Sequence, residues 1–322
     1  MRGYGELGWS REIWHPGEGP TRKLLIATAA IGTLIGTSSF AADMAIKAPP
    51  MAPAPAISWT GYYVGVNAGG TWGGSDINVA SVPIYAFPPT LNAFPVPTSI
   101  AAANAASGNL SSRAGFIGGV QIGYNQQFSD RFVAGIETDF QGTAKAKATR
   151  TSSVDALSSV GFPGNNVTAT IAANKIPDYL GTVRGRLGFL PQPALLLYTT
   201  GGLAYGGGSS TSISGTNNGV NLGLCCGNPP FNSSGSLSGI RAGWTIGAGA
   251  EWMFAPKWSA KIEYLYYDLG RVSYSAGTSS PLAGPNSGGI PVGAAVYSIA
   301  SQTSTRLDGN ILRIGLNYRF GG

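Results

Sequence analysis

Nine charged residues lie inside segments of alternating polar and apolar residues, and their spacing could support chemistry. Glu137 and Asp139 are two positions apart, which places both carboxylates on one face of an extended strand. Paired carboxylates carry out glycoside hydrolysis, so a hydrolase is one interpretation of this pair. Arg184 and Arg186 follow the same alternation. Ion pairing between the two sets is the favoured interpretation, because an isolated buried ion costs several kcal/mol.

The complete set is nearly balanced in charge, with four acidic and five basic members. We call it the charge network, and it consists of Glu137, Asp139, Glu251 and Glu263 with Arg184, Arg186, Lys261, Arg313 and Arg319. We expect these side chains to meet in one interior and to fill it with ion pairs.

The N-terminal region predicts export. Arg22 and Lys23 precede an uncharged run over 24–35, and Ser39-Phe40-Ala41 follows, which is the pattern of a signal peptide cleaved after Ala41 or Ala42. An anchored N-terminal helix is the alternative. The predicted organisation is an N-terminal extension with a cleaved signal peptide over 1–41, an Ala/Pro-rich periplasmic linker over 42–57, and one membrane domain over 58–322.

Few other residues suit catalysis or metal binding. The only histidine, His15, falls within the predicted leader, which removes histidine-dependent nucleophilic catalysis and histidine-ligated metals from the mature chain. Cys225 and Cys226 are adjacent and could form a strained disulfide, pair between chains, or stay reduced. The sequence predicts a protein that is not an enzyme, with no catalytic residue, no metal site, no cofactor and no nucleic-acid patch.

The composition indicates the kind of element that positions the charges. Only 11% of residues are charged, with 20 Lys and Arg against 14 Asp and Glu, and 49 of the 322 residues are glycine. Soluble domains carry about 25% charged residues. The mean hydropathy of +0.09 is too low for a bundle of membrane helices. A membrane β-barrel fits both values, because its lipid-facing and interior residues alternate.

Eight segments show this alternation and are long enough to cross a bilayer as tilted strands. They are 59–73, 115–128, 131–141, 178–189, 194–207, 241–254, 257–268 and 309–320. Ser129-Asp130, 190–193 and Ala255-Pro256 form three short connections between them. The other four are long, over 74–114, 142–177, 208–240 and 269–308. Strict alternation of short and long connections predicts an all-β, eight-stranded antiparallel up-and-down transmembrane β-barrel with three short periplasmic turns and four long extracellular loops.

Aromatic residues cluster near the ends of the predicted strands, as expected at the two membrane interfaces. The predicted interface residues are Trp59, Trp72, Trp244, Trp252, Trp258, Tyr318 and Phe320.

Several strand motifs resemble those of a known family. They are WTGYYVGVNAG from Trp59, GGVQIGYN from Gly118, GIETDF from Gly135, TVRGRLG from Thr182, GAGAEW from Gly247, KIEYLY from Lys261 and IGLNYRF from Ile314. The chain resembles the small alphaproteobacterial outer-membrane proteins of the OmpA-like barrel superfamily, labelled porin family or RopB-type surface antigens. The resemblance implies a bacterial outer-membrane location and recognition of the last strand, ending at Phe320, by the barrel assembly machinery. The family carries no agreed catalytic residues.

These observations predict a non-enzymatic outer-membrane barrel with a role in envelope structure and surface exposure, and a lumen plugged by ion pairs. Outer-membrane lipid and lipopolysaccharide are its expected surroundings, and a homo-oligomer is possible. A narrow diffusion pore, or a surface protein that binds a ligand or host through its long loops, are the alternatives.

Overall fold

The computed structural model describes residues 57–84, 95–155, 166–217, 230–279 and 299–320. The predicted leader, most of the linker, and Cys225 and Cys226 lie outside the described residues. Within this part of the chain, no helix combines the length and apolar character needed to cross a bilayer.

Fourteen strands and one helix form the described part of the chain. In order they are β1 (Gly61–Gly73), β2 (Ile77–Pro83), α1 (Pro95–Ala105), β3 (Gly108–Leu110), β4 (Gly115–Gln127), β5 (Phe132–Lys145), β6 (Ala148–Asp155), β7 (Asn166–Asn174), β8 (Tyr179–Gln192), β9 (Leu195–Gly207), β10 (Ser209–Asn217), β11 (Phe231–Leu237), β12 (Arg241–Ala255), β13 (Trp258–Ser279) and β14 (Ile299–Phe320).

Eight of these strands close into a ring in the order β1-β4-β5-β8-β9-β12-β13-β14, and β14 pairs back onto β1. Every pairing is antiparallel, and the closing pair runs from Tyr62 opposite Phe320 to Gly73 opposite Gly309. Large apolar side chains such as Val120, Ile136 and Leu187 point outward and are more than half exposed. The predicted eight-stranded barrel is confirmed, and each predicted segment corresponds to one strand of the ring.

Two barrel strands extend about ten residues beyond their predicted ends, and β5 and β8 extend by a few, to Lys145 and Gln192. Continuous pairing carries β13 to Ser279 and starts β14 at Ile299, whereas the prediction ended and began these strands at 268 and 309. Two irregularities in the pairing lie next to Gly270 and Gly277, which adopt φ values of +86° and +88°. Glycine tolerates this left-handed backbone, so each one lets the strand bulge and continue where the sequence suggested a loop.

The described parts of the four long connections also have regular structure, although the sequence indicated loops. Strands β2 and β3 extend the ring sheet beyond β14, and β11, β10, β7 and β6 form a separate four-stranded sheet. We call these strands, α1 and the outer halves of β13 and β14 the cap. Its core contains small and branched side chains, namely Ile77, Val79, Ala101, Ala102, Ala103, Ala105, Ala106, Leu110, Ala148, Val167, Ala169, Ile171, Ala173, Ile213, Phe231, Ala276 and Ile299.

The barrel interior is layered along its axis. Near the short turns an inner apolar layer contains Trp59, Val133, Leu190, Leu196, Tyr198 and Met253. Toward the cap an outer apolar layer contains Ile117, Leu180, Ala204, Leu265, Tyr267, Leu269, Val272, Leu307 and Ile311. The charge network begins one inward-facing position below the outer layer, where Glu263 pairs with Arg313 next to Leu265 and Ile311, and it reaches the inner layer, where Glu251 lies opposite Leu196.

Candidate functional site

The barrel register brings opposite charges face to face. Glu137 lies directly across from Arg184 on the neighbouring strand. Glu251 lies across from Lys261 in the same way, and Glu263 across from Arg313. All nine residues of the charge network point inward, and none is more than 3% exposed. The side chains come from β5, β8, β12, β13 and β14, so the network spans most of the ring.

Arg184 lies at the centre of the network. Its Nη1 donates a hydrogen bond to Glu263 Oε1 at 2.9 Å. Its Nη2 donates to Asp139 Oδ2 at 2.9 Å and also to Glu137. The remaining donor, Nε, reaches Thr182 Oγ1 at 2.9 Å. One guanidinium group therefore binds three carboxylates, and each of its three nitrogens donates at least one hydrogen bond.

Arg313 and Lys261 complete the outer part of the network. Arg313 Nε and Nη2 bind Glu263 Oε2 at 2.8 and 2.5 Å, and Nη2 also reaches Asp139 Oδ2 at 2.8 Å. Lys261 Nζ lies 2.9 Å from both carboxylate oxygens of Glu137. Three cations and three carboxylates are thus mutually compensated.

The part nearer the short turns has an excess of cations. Arg186 Nη2 donates to Glu251 Oε2 at 2.7 Å, and its guanidinium carbon lies 3.9 Å from the centre of the Tyr198 ring. Arg319 comes no closer than 3.7 Å to Glu251. It donates instead to the backbone oxygen of Trp59 at 2.9 Å, and its guanidinium lies 4.3 Å from the centre of that ring. The cation–π contact thus adds to the weak pairing of Arg319 with Glu251.

Two buried tyrosines belong to this site and were not among the predicted residues. Tyr63 Oη donates to Glu137 Oε2 at 2.7 Å and accepts from Arg186 Nη1 at 2.9 Å. Tyr198 Oη donates to Glu263 Oε1 at 3.2 Å. Tyr63 alternates with the outward Tyr62 and Val64, so the strand period alone could have identified it as an interior residue.

Amides and a hydroxyl extend the network. Asn317 Nδ2 and Ser259 Oγ donate to Glu251 Oε1 at 2.9 and 2.5 Å. Gln121 Nε2 donates to Asn317 Oδ1 at 2.5 Å. Glycine makes room for the larger groups: a Cβ on Gly123 would lie 2.4 Å from the Tyr63 ring.

Six of the seven predicted interface aromatics lie on the outer surface. Trp252, Trp258, Tyr318 and Phe320 lie near the short turns, where the Trp258 and Tyr318 rings are 5.1 Å apart. Trp72 and Trp244 lie near the opposite end, and Trp244 is 5.4 Å from the Tyr266 ring.

The prediction for Trp59 was wrong. Its side chain is fully buried, and its Nε1 donates to the backbone oxygen of Pro193 at 2.8 Å. Trp59 precedes β1, and the chain enters the strand through Gly61 with a φ of +136°. Trp59 nevertheless has the same parity as the inward Tyr63 and Asn67, so strand alternation predicts its inward position and the clustering of aromatic residues at strand ends does not.

An ion pair that the sequence did not indicate lies where the barrel meets the cap. Lys175, in the connection between β7 and β8, donates to Asp308 Oδ1 at 2.6 Å and to the Arg306 backbone oxygen at 3.2 Å. Burial lowers the pKa of the Lys175 ammonium, although Asp308 acts in the opposite direction. The pair ties the second long connection to the last strand.

The comparisons with known proteins agree with this architecture. The family model for the outer membrane protein beta-barrel domain matches residues 38–320. The 31 kDa outer-membrane immunogenic protein of Brucella melitensis is 33% identical over 306 residues, covering 92% of this chain and 99% of that protein. The 22 kDa outer membrane protein of Rhizobium leguminosarum bv. viciae is 27% identical over 182 residues, covering 56% of this chain and 66% of that protein.

A solved structure with a similar chain course is OprG from Pseudomonas aeruginosa. It is 11% identical, with a TM-score of 0.34, and the match covers 82% of this chain and 97% of OprG. This score is low, so the assignment of the fold rests on the strand pairing described above. The family match, the Brucella relative and the closed ring of strands together confirm the resemblance seen in the sequence and a location in the outer membrane. The chain belongs to the outer membrane protein beta-barrel domain family.

Proposed function

We propose that this protein is a closed, non-conducting barrel that stabilises the outer membrane and presents the cap at the cell surface. The observation that carries the proposal is the filled lumen. Arg184 and Arg313 have fully buried side chains, and an apolar layer lies on each side of them. An eight-stranded barrel is just wide enough for its side chains to fill the interior.

The same geometry argues against enzymatic use of the carboxylates. Glu137 accepts from Tyr63, Lys261 and Arg184, and Asp139 accepts from Arg184 and Arg313. A general acid or base needs a proton that it can exchange with a substrate. These carboxylates are enclosed and satisfied by cations, which supports a structural role.

The cap supports the proposed surface role. In outer-membrane barrels the long connections face the cell exterior, and here they build a folded unit with its own core. The Brucella relative is named as an immunogenic protein. We propose that the cap is the antigenic surface of this chain, and that any ligand or host partner binds there.

Two further partners belong to this proposal. The outward aromatic girdles support contact with outer-membrane lipid and lipopolysaccharide. The last strand, which ends at Phe320 with that ring exposed, supports recognition by the barrel assembly machinery.

Two measurements test these statements. Liposomes containing the protein should not swell in small sugars or amino acids, whereas a general porin in matched liposomes should cause swelling. Protease added to intact cells should cleave only within the cap connections and leave the barrel as a protected fragment. Swelling at the porin level would contradict the closed lumen, and cleavage only after cell lysis would contradict surface exposure of the cap.

A further inference from the structure

A pocket lined mainly by polar residues opens at the junction of barrel and cap, outside the lumen. Its volume is about 440 Å³, within the range of roughly 300–1,000 Å³ typical of ligand sites. Its lining includes Lys147, Asn174, Asp178, Tyr179, Ser210 and Ser236. The charge network contributes nothing to it, so the pocket is a separate site.

Strand pairing places this pocket at the outer membrane interface. Tyr179 lies opposite Gly142 of β5 and Gly207 of β9, and these are the outermost pairs between β8 and its two neighbours. The Tyr179 ring stacks on Phe140, with centres 5.8 Å apart and an angle of 25° between the planes. Phe140 is an exposed, outward-facing aromatic near the cap end of β5, so we infer that the pocket lies at the level where the membrane ends and the sugars of outer-leaflet glycolipid begin.

The pocket walls are held in place by backbone contacts. Asp178 N donates to Gly207 O at 2.7 Å, and Thr143 N donates to Asp178 O at 3.1 Å. Gly208 adopts a φ of +100°, and a Cβ there would lie 1.9 Å from the Asp178 carboxylate. The close approach of this carboxylate to the backbone therefore requires glycine, and the acidic wall of the pocket is preformed.

The chemistry of the lining indicates the class of ligand. Hydroxyl, amide and carboxylate groups supply donors and acceptors, and Tyr179 adds an aromatic ring. One cation, Lys147, is offset by one carboxylate, Asp178, so the lining offers no net attraction for phosphate. We propose that this pocket binds a saccharide ring of low charge, supplied either by the sugars of outer-leaflet glycolipid or by a soluble glycan outside the cell.

The test uses the full-length mature protein in detergent and calorimetric titration with three probes: core oligosaccharide released from the lipopolysaccharide of the same cells, a neutral soluble glycan mixture, and inorganic phosphate. We expect saturable binding of a saccharide and none of phosphate. Binding of the core oligosaccharide identifies the glycolipid as the source, and binding of the soluble glycans alone identifies an external one.

Ser210→Tyr fills the pocket, and Ser214→Tyr is its matched control on the same strand and the same face of β10, outside the lining. Ser210→Tyr should weaken saccharide binding by about tenfold or more, and Ser214→Tyr should leave it unchanged. Asp178→Asn, which keeps the shape, should also weaken it. The faster migration of unboiled barrels in gels verifies folding of each variant.

Three results would overturn the proposal: no saturable binding of any saccharide, equal affinity of Ser210→Tyr and the parent, or displacement of the saccharide by phosphate. None of them depends on whether the lumen conducts, so the pocket and the closed barrel are tested separately.

Discussion

The barrel lumen and the cap are two interiors built on opposite principles in one chain. The lumen buries nine charged residues and compensates them with one another. The cap buries alanine, isoleucine and valine between sheets, as a soluble protein does. The difference follows from what lies outside each region. The barrel wall faces lipid and directs its large apolar residues outward, so its polar residues turn inward. The cap instead has an apolar core, and uncharged polar side chains such as Thr211 and Thr303 are buried beside it.

This contrast has an energetic consequence. Removing one member of a buried ion pair leaves the other without compensation, which costs about 3–5 kcal/mol. Stability of the lumen should therefore depend on charge balance, and stability of the cap on side-chain volume.

The largest effect is expected for Arg184→Ala, because it leaves three carboxylates short of a cation. We expect the free energy of unfolding of the barrel to fall by about 3–5 kcal/mol. Urea titration in lipid vesicles, followed by tryptophan fluorescence, measures this change. Arg319→Ala is the matched control, since Arg319 has only one carboxylate, 3.7 Å away, and the loss should be clearly smaller. Equal losses in both variants would break the link between stability and ion pairing.

A smaller and local effect is expected for Ile171→Ala in the core of the cap, where Ile171 is fully buried. The lost contacts and the cavity should cost about 3 kcal/mol. Hydrogen exchange should rise in β6, β7 and β10 while the barrel strands stay protected. If the barrel strands lost protection equally, the two interiors would form a single cooperative unit, and the comparison would fail.

Tyr63→Phe tests a neutral member of the lumen. It removes the hydroxyl that joins Arg186 to Glu137 while keeping the ring, and we expect a loss of about 1–3 kcal/mol. The outward Tyr62→Phe, on the lipid-facing side of the same strand, should change stability much less. Equal effects of the two substitutions in the same urea titration would show that the hydroxyl adds nothing to the network.

The smallest effect concerns the boundary between the two regions and depends on pH. Burial lowers the pKa of Lys175, so the ammonium group loses its proton at a lower pH in the folded state than in the unfolded chain. The contribution of Lys175 to stability should therefore rise as the pH increases from this lowered pKa to the ordinary lysine value, and should be constant above it. Lys175→Met should lack this rise. If the free energy of unfolding changed with pH in the same way in the parent and the variant over the alkaline range, the lowered pKa of Lys175 would be contradicted.

The sequence was informative where strand alternation separates large apolar from polar residues. Val120, Ile122 and Tyr124 alternate with Gly119, Gln121 and Gly123, so the strand and its faces could be predicted. The same contrast was sufficient to identify the nine members of the charge network. Which cation meets which carboxylate could not be predicted, because the pairing depends on the stagger of strands around the closed ring.

The cap could not be predicted for a related physical reason. In β7, Val167, Ala169 and Ile171 alternate with Thr168 and Thr170, but the surrounding serines, glycines and asparagines reduce the contrast to that of a loop. Trp59 was misplaced because it was assigned by its position at a strand end and not by its parity, which is that of the inward Tyr63. Lys175 was missed because the short segment between β7 and β8 shows no alternation. Predictions therefore succeeded where lipid imposes a strong pattern and failed where the chain leaves the membrane.

The central claim is that the charge network closes the lumen, and single-channel recording in planar bilayers tests it most directly. Insertion is established independently by the protection of the barrel strands from protease in the same lipid. With the inserted parent protein at physiological salt, we predict that the current recordings show no stable open-channel level. Frequent, long-lived and ohmic current steps from the parent protein, altered in Arg184→Ala, would show that the lumen conducts and would contradict the account.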